Sequence, residues 1–139
     1  MRVLAVDFGD TRTGIAISDP TGFLAGETTV ITAYRPETAA QCVAEFARSR
    51  MVDRIVVGRP LNMNGTFGER AQKCEDFAAL LRGLTGLDVA LWDERLTSVD
   101  ANRILSDAGK KRSKQREYVD AVAASLILEG YLGFLKRNG

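Results

Sequence analysis

Histidine is absent from this chain of 139 residues. Catalysis by a Ser-His-Asp or a Cys-His arrangement is therefore excluded, and so is a zinc site built on histidine. Any catalytic chemistry must come from carboxylates, lysine, hydroxyl groups or a metal ion that oxygen atoms hold. The missing residue type thus narrows the possible reactions before any motif is considered.

Long hydrophobic runs and closely spaced cysteines are also lacking. No segment approaches the ~20 apolar residues that would cross a bilayer, and the first residues read as a strand rather than a signal peptide. Cys42 and Cys74 fall on separate predicted helices without the spacing of metal ligands. These features predict a reduced, cytoplasmic protein with no membrane partner.

Charge of one sign does not dominate, because 19 basic and 18 acidic residues leave a net charge of +1. The chain has no overall basic field, so any binding of nucleic acid must depend on a local patch. A hydrophobic content of 45% at this length predicts one domain, residues 1–139, with a substantial core.

The pattern of apolar and turn-forming residues predicts five strands. They cover residues 3–8, 15–18, 27–32, 54–58 and 88–92. Residues 10–14 are predicted to form the turn of a hairpin between the first two strands. A leading hairpin followed by alternating helices and strands predicts a mixed α/β sheet, first antiparallel and then parallel, with helices on both faces.

Four helices are predicted from their start and stop signals. The first helix begins at Pro36, and the second begins at the capping box of Thr66 and Glu69 and ends at Gly83 and Gly86. The third begins at the cap Thr97 or Ser98 and ends at Gly109. The fourth covers the apolar segment 118–136. The basic segment 110–117 is predicted to interrupt the chain as a loop before the last helix.

Carboxylates stand at the ends of predicted elements. Asp7 lies inside the apolar run LAVDFGDTRTGIAISD (residues 4–19), where a carboxylate is costly unless it is paired, hydrogen-bonded or bound to a metal. Asp93 and Glu94 follow the strand that ends at Trp92, and Asp120 lies near the start of the last helix. Because sites gather at the carboxyl ends of neighbouring strands, Asp7, Asp120 and one of the two acids after Trp92 are predicted to converge.

Three carboxylates around one point repel each other unless a cation neutralises them, and oxygen ligands favour Mg²⁺ or Mn²⁺. Two such ions ~3.5–4 Å apart can hold the attacking and leaving oxygens of a phosphodiester, with a bound water as nucleophile. The residues alone leave other roles open. Asp7 could pair with Arg12 or Arg95, one of the acids after Trp92 could be structural, and Asp120 could stabilise its helix terminus.

Four segments in this order resemble the YqgF family, also called RuvX-like or pre-16S rRNA nucleases: AVDFGDTRTGIAISD, IVVGRPLNMNGTFG, WDERLTS and YVDAVAASLILEGYL. The resemblance implies an RNase H-like fold and a divalent metal held by the catalytic acids Asp7, Glu94 and Asp120. It prefers Glu94 to Asp93, a choice that the strand pattern leaves open. It also implies a nucleic-acid substrate, with roles in 5′-end maturation of pre-16S rRNA during ribosome biogenesis or in resolving four-way (Holliday) DNA junctions.

Several polar and basic residues are candidate contacts to substrate phosphates. The turn DFGDTRTG offers backbone N–H groups together with Thr11 and Arg12, and Arg59 follows a buried strand. The basic segment contributes Lys110, Lys111, Arg112 and Lys114. A plain hairpin turn, a surface arginine and a solvated charged face are the structural alternatives. No aromatic residues are interleaved with the basic segment, so base stacking is not predicted there.

Other functions compete with a nuclease. The first motif also resembles the phosphate loop of actin–Hsp70-type ATPases, but that fold needs two such domains and this chain has room for one. A non-catalytic factor that binds RNA or a ribosome precursor, with a structural ion at the acids, is the second alternative. A homodimer would suit a symmetric four-way junction, whereas rRNA trimming requires none.

Overall fold

The computed structural model of the chain describes residues 1–22, 25–60, 68–93 and 112–138, with the backbone alone at residues 25, 112–120 and 138. The described strands are β1 (Val3–Asp7), β2 (Arg12–Ser18), β3 (Ala25–Thr32), β4 (Arg54–Arg59) and β5 (Asp88–Asp93). The described helices are α1 (Pro36–Ser49), α2 (Glu69–Thr85) and α3 (Arg112–Asn138). The helix predicted between Thr97 and Gly109 lies outside the described residues.

The five strands form one mixed sheet in the order β3-β2-β1-β4-β5. β1 pairs antiparallel with β2 and parallel with β4, and β4 pairs parallel with β5. The predicted change from antiparallel to parallel pairing is therefore confirmed, and it occurs at β1. Since β1, β4 and β5 run in the same direction, their carboxyl ends share one edge of the sheet.

Alternation along the strands divides the core between the two faces of the sheet. In β1, Leu4 and Val6 are buried on the face that α1 and α2 cover, whereas Val3 and Ala5 are buried on the other face. On that second face Ala124, Ile127, Leu128, Tyr131 and Leu132 of α3 pack against the sheet. Helices on both faces are thus confirmed. No helix in the described parts of the chain has the length and apolar character needed to span a membrane.

The second strand begins earlier than predicted. Arg12, Thr13 and Gly14 were expected in a turn, but they pair with Thr32, Ile31 and Val30 of β3. The prediction was wrong because β3 extends the ladder beyond the end of β1, and threonine is a good strand former. The connection between β1 and β2 is correspondingly short, residues 8–11.

The limits of α2 also differ from the prediction. The helix begins at Glu69 after an extended Gly68 without a side-chain cap, so the predicted Thr66–Glu69 capping box is wrong. Thr66 itself lies outside the described residues. At the other end the chain leaves the helix through Gly86, whose φ of 70° is left-handed, while Gly83 lies inside the helix. Only a glycine adopts that φ without strain, which explains why Gly86 and not Gly83 ends α2.

The last helix begins at Arg112, six residues before the predicted start at Tyr118. The charged run was predicted to be a loop, but lysine, arginine, glutamine and glutamate have high helix propensity, and they extend the helix. Positions 112–116 of the basic segment are therefore helical rather than a flexible loop.

Candidate active site at the carboxyl edge of the sheet

Asp7 ends β1 and belongs to the face of the sheet that α3 covers. This follows from alternation, because Val3 and Ala5 of the same strand are buried in the core beneath α3. The side chain is half-buried at the edge where the parallel strands end. The central carboxylate of the sequence prediction thus lies where sites in α/β sheets form.

Both neighbours of Asp7 in the sheet are glycines. Gly14 of β2 is its antiparallel partner, and the parallel register that pairs Val6 with Val57 places Gly58 of β4 beside it on the other side. Trp92 of β5 pairs with Gly58 and lies on the same face. In the next row of side chains on this face, further from the edge, the same four strands contribute Ala16, Ala5, Val56 and Ala90.

A metal ion fits the chemistry of this position. A Cβ at either glycine would project onto the face of Asp7, next to its carboxylate. Neither glycine places a side chain of its own beside the Asp7 carboxylate, and carboxylate oxygen is a preferred ligand of Mg²⁺ and Mn²⁺. Among the described side chains alone, no three acidic or cysteine residues form a group that could hold a metal.

The turn after Asp7 is fixed from two sides. Arg70 of α2 donates to the carbonyl oxygen of Phe8 and to the Asp10 carboxylate, the latter at 3.3 Å. The backbone N–H of Ala33 donates to the carbonyl oxygen of Thr11 at 3.0 Å. A side chain at Gly9 would overlap the Arg12 carbonyl, so the turn requires glycine there. The predicted substrate contact Thr11 is exposed in this turn, and Arg12 is half-buried.

Arg59 stands on the opposite face from Asp7. Val57, two positions earlier in β4, is buried in the core beneath α1 and α2, and the Arg59 guanidinium lies 2.9 Å from the Glu75 carboxylate of α2. Asp93 is the register partner of Arg59 and shares its face. The structure therefore does not bring Arg59 or Asp93 to the side of the sheet that Asp7 occupies.

Several predicted site residues remain untested. Glu94, Lys110 and Lys111 lie outside the described residues. Asp120, Arg112 and Lys114 lie on α3, where the structure describes the backbone alone. The predicted meeting of Asp7, Glu94 and Asp120 and the basic contacts beside them stay predictions.

Sequence reasoning missed the two glycines that flank Asp7. Gly14 was interpreted as a turn residue and Gly58 as the end of a strand. Their common position beside Asp7 depends on the registers of β1 with β2 and of β1 with β4. A signal existed in principle, since glycine inside a strand marks a close approach of a ligand or backbone.

A family model described as RuvX: Holliday junction resolvase matches residues 1–133. The chain belongs to the RuvX family. This confirms the resemblance to YqgF proteins that the four motifs indicated. RuvX proteins are nucleases and hence hydrolases.

Curated relatives of this RuvX chain carry the name "Putative pre-16S rRNA nuclease". A protein of Pelotomaculum thermopropionicum is 42% identical over 133 residues, which cover 95% of this chain and 86% of that protein. One of Agathobacter rectalis is 41% identical over 141 residues, covering 99% of both. The similarity therefore extends over essentially the whole chain.

Among solved structures, this RuvX chain is similar to RuvC of Thermus thermophilus in complex with a Holliday junction substrate. The TM-score is 0.64 at 13% identity, covering 96% of each chain. At this identity the likeness establishes the fold alone. It confirms the RNase H-like fold with its mixed five-stranded sheet.

Proposed function

We propose that this RuvX protein is a divalent-metal-dependent nuclease that hydrolyses phosphodiester bonds at the carboxyl edge of its sheet. The observation that carries the proposal is the position of Asp7, half-buried at this edge between Gly14 and Gly58. A carboxylate with a glycine on each side in the sheet is better suited to binding a cation than to packing. Membership of a nuclease family supplies the reaction class.

Asp7, Glu94 and Asp120 would hold the metal, one ion or two. The family resemblance favours Glu94 over Asp93, and Asp93 itself lies with Arg59 on the face opposite Asp7. Mg²⁺ and Mn²⁺ both suit such an all-oxygen set. When bound, the ion would neutralise the clustered acids and stabilise the charge that develops on the phosphate.

The course of α3 supports a place for Asp120 in this site. Arg54 at the start of β4 donates to the Tyr131 hydroxyl at 3.0 Å, so this part of α3 lies near the amino edge of the sheet. Asp120 precedes Tyr131 by eleven residues, about 16 Å along a helix axis. From Arg54 to Gly58, β4 covers about 13 Å, a distance comparable to that length of helix. The upstream part of α3 is thus long enough to reach the carboxyl edge.

The protein's own groups would bind and orient the substrate. Backbone N–H groups of the turn at residues 8–11, with Thr11 and Arg12, would contact the phosphate nearest Asp7. Arg70 and the Ala33 N–H hold that turn in place before substrate arrives, which limits the ordering required on binding. Lys110, Lys111, Arg112 and Lys114 would contact flanking phosphates without reading sequence.

The substrate we propose is a precursor of 16S rRNA, cut during 5′-end maturation in the cytoplasm. The name of the curated relatives favours this RNA over others. A four-way DNA junction is the second candidate, favoured by the description of the matching family model. Both present the same phosphates to Asp7 and the basic residues. A homodimer would serve the junction, because its two symmetric cuts require two sites.

The decisive experiment compares wild type with Asp7→Asn on precursor 16S rRNA and on a four-way DNA junction. Each substrate is incubated with Mg²⁺, with Mn²⁺ and with EDTA. Wild type is expected to cut one of them only with metal, and Asp7→Asn is expected to cut neither while retaining its circular dichroism spectrum. Asp88→Asn is the matched control, since Asp88 is an exposed aspartate at the start of β5, on the opposite edge. Cleavage by Asp7→Asn, or cleavage by wild type in EDTA, would refute the proposal.

A further inference from the structure

A second concave feature lies at the same edge of the sheet, on the face opposite Asp7. It is a pocket of about 300 Å³ between the turn after β1, the start of α1 and the middle of α2. Its floor is apolar and includes Phe8 and Phe77, whose stacked rings are 4.2 Å apart, together with Leu80. Tyr34 stands at its mouth with 79% of its surface exposed.

The pocket is connected to the proposed active site through the backbone. Phe8 directly follows Asp7 in the chain, and by alternation the two side chains stand on opposite faces of the sheet. Tyr34 follows Ala33, whose N–H binds the carbonyl oxygen of Thr11 in the turn proposed to hold a phosphate. Because Phe8 and Asp10 of this turn also line the pocket, a nucleic-acid strand bound along the turn would extend around the edge of the sheet, from Asp7 on one face to the mouth of the pocket on the other.

The chemistry of the lining suits a nucleobase. An exposed aromatic ring over an apolar floor provides a stacking surface that accepts any base. The rim carries Lys73, whose ammonium lies 3.4 Å from the Asp10 carboxylate, and Asp76. Carboxylate oxygens accept hydrogen bonds from exocyclic amino groups, and the ammonium suits the sugar–phosphate backbone. A volume of 300 Å³ is at the lower limit for ligand pockets, which suits one base and not a larger group.

We infer that this pocket binds an unpaired nucleobase next to the cleavage site and that Tyr34 stacks on that base. The inference rests on the proposed function, since it assumes a nucleic-acid substrate at Asp7. It adds a requirement that phosphate contacts alone do not impose: the substrate must present an unpaired nucleotide beside the cut. Recognition would then depend on strand structure rather than on sequence, because stacking tolerates every base.

The test measures binding in the Asp7→Asn background, so that no cleavage interferes. The probes are a short single-stranded oligonucleotide and an oligonucleotide of the same length with every base removed, each prepared as RNA and as DNA. With Tyr34 present, the probe with bases is expected to bind roughly tenfold more tightly than the abasic probe. Tyr34→Ala is expected to abolish this difference by weakening only the probe with bases, whereas Tyr34→Phe retains the ring and the difference.

The control variant is Met51→Ala, an exposed apolar residue near the amino edge, which should leave both affinities unchanged. Equal affinity for the two probes, or an equal loss for both on Tyr34→Ala, would overturn the inference. Either result would leave the nuclease proposal intact, because that proposal is judged by metal-dependent cleavage. Conversely, absence of cleavage together with a base-dependent affinity that requires Tyr34 would refute the nuclease proposal and keep this pocket as a nucleobase site.

Discussion

Asp7 and Arg59 end neighbouring parallel strands at the same edge of the sheet, but their side chains stand on opposite faces of it. The guanidinium of Arg59 lies 2.9 Å from the Glu75 carboxylate, and the two side chains are 28% and 35% exposed. The ion pair connects the end of β4 to α2. Its geometry favours a structural role for Arg59 over the phosphate contact that the sequence suggested.

Removing either partner of this pair should destabilise the protein by a similar amount. We expect Arg59→Gln and Glu75→Gln each to lower the free energy of unfolding by about 1 kcal/mol, since the pair is partly screened by solvent. The double variant should lose little more than either single one, because the second change removes a residue whose ion pair is already broken. Urea denaturation of the four proteins gives this coupling. If Arg59→Gln weakened binding of an oligonucleotide while Glu75→Gln did not, Arg59 would be a phosphate contact, as the sequence predicted.

The sequence predicted the elements well where apolar patterning and backbone chemistry agree. β1, β4 and β5 are short apolar runs, and Pro36 begins α1 because its fixed φ suits the first turn. Errors arose where one residue type serves two conformations. Gly83 and Gly86 look alike in the sequence, but only Gly86 adopts a left-handed φ.

Alanine at these two glycines should therefore have opposite effects. Gly83 lies inside α2 and a Cβ there would meet no atom within 4 Å, so Gly83→Ala should raise the free energy of unfolding by about 0.5–1 kcal/mol. Gly86 has a φ of 70°, so Gly86→Ala should lower it by about 1 kcal/mol. Thermal or urea unfolding measures both changes. A stabilising Gly86→Ala would contradict the left-handed end of α2.

Acid should weaken one surface ion pair in a predictable direction. Hydrogen bonds from Arg50 lower the pKa of Glu27 below its usual 4.5. A lowered pKa means that the pair stabilises the fold above the unfolded-state value, and that this contribution is lost as the pH falls through the folded-state value. The melting temperature of wild type should therefore fall more than that of Glu27→Gln between neutral pH and pH values well below 4.5. Parallel curves for the two proteins would show that the pair contributes nothing.

The place of Asp7 at the edge of the sheet could be predicted from the sequence, but its surroundings could not. Asp7 is conspicuous because a carboxylate inside an apolar strand requires compensation. Its neighbours depend on which strands lie beside β1 and in what register, and one step of register would place different residues next to it. The pocket at Tyr34 was missed for a similar reason, since its lining comes from a turn and two helices that are far apart in the chain.

The glycines beside Asp7 provide the last prediction. If the volume that they leave serves a bound cation and the substrate phosphate, a methyl group at either position should interfere with both. We expect Gly58→Ala to reduce metal-dependent cleavage by at least about tenfold, because small displacements of reacting groups cost that much. Gly14→Ala tests the same volume from the other side of Asp7. The affinity for Mn²⁺, measured by calorimetry, should fall in parallel with the cleavage rate.

Loss of folding must be separated from loss of the site. Both glycines are buried, so the melting temperature of each variant is measured, and cleavage is compared at a temperature where all the proteins are folded. Gly83→Ala is the matched control, since it adds the same methyl group where there is space and no site. Folded Gly58→Ala and Gly14→Ala proteins that bind Mn²⁺ and cut at the wild-type rate would show that these glycines serve packing alone. In that case the metal would have to be held on another side of Asp7.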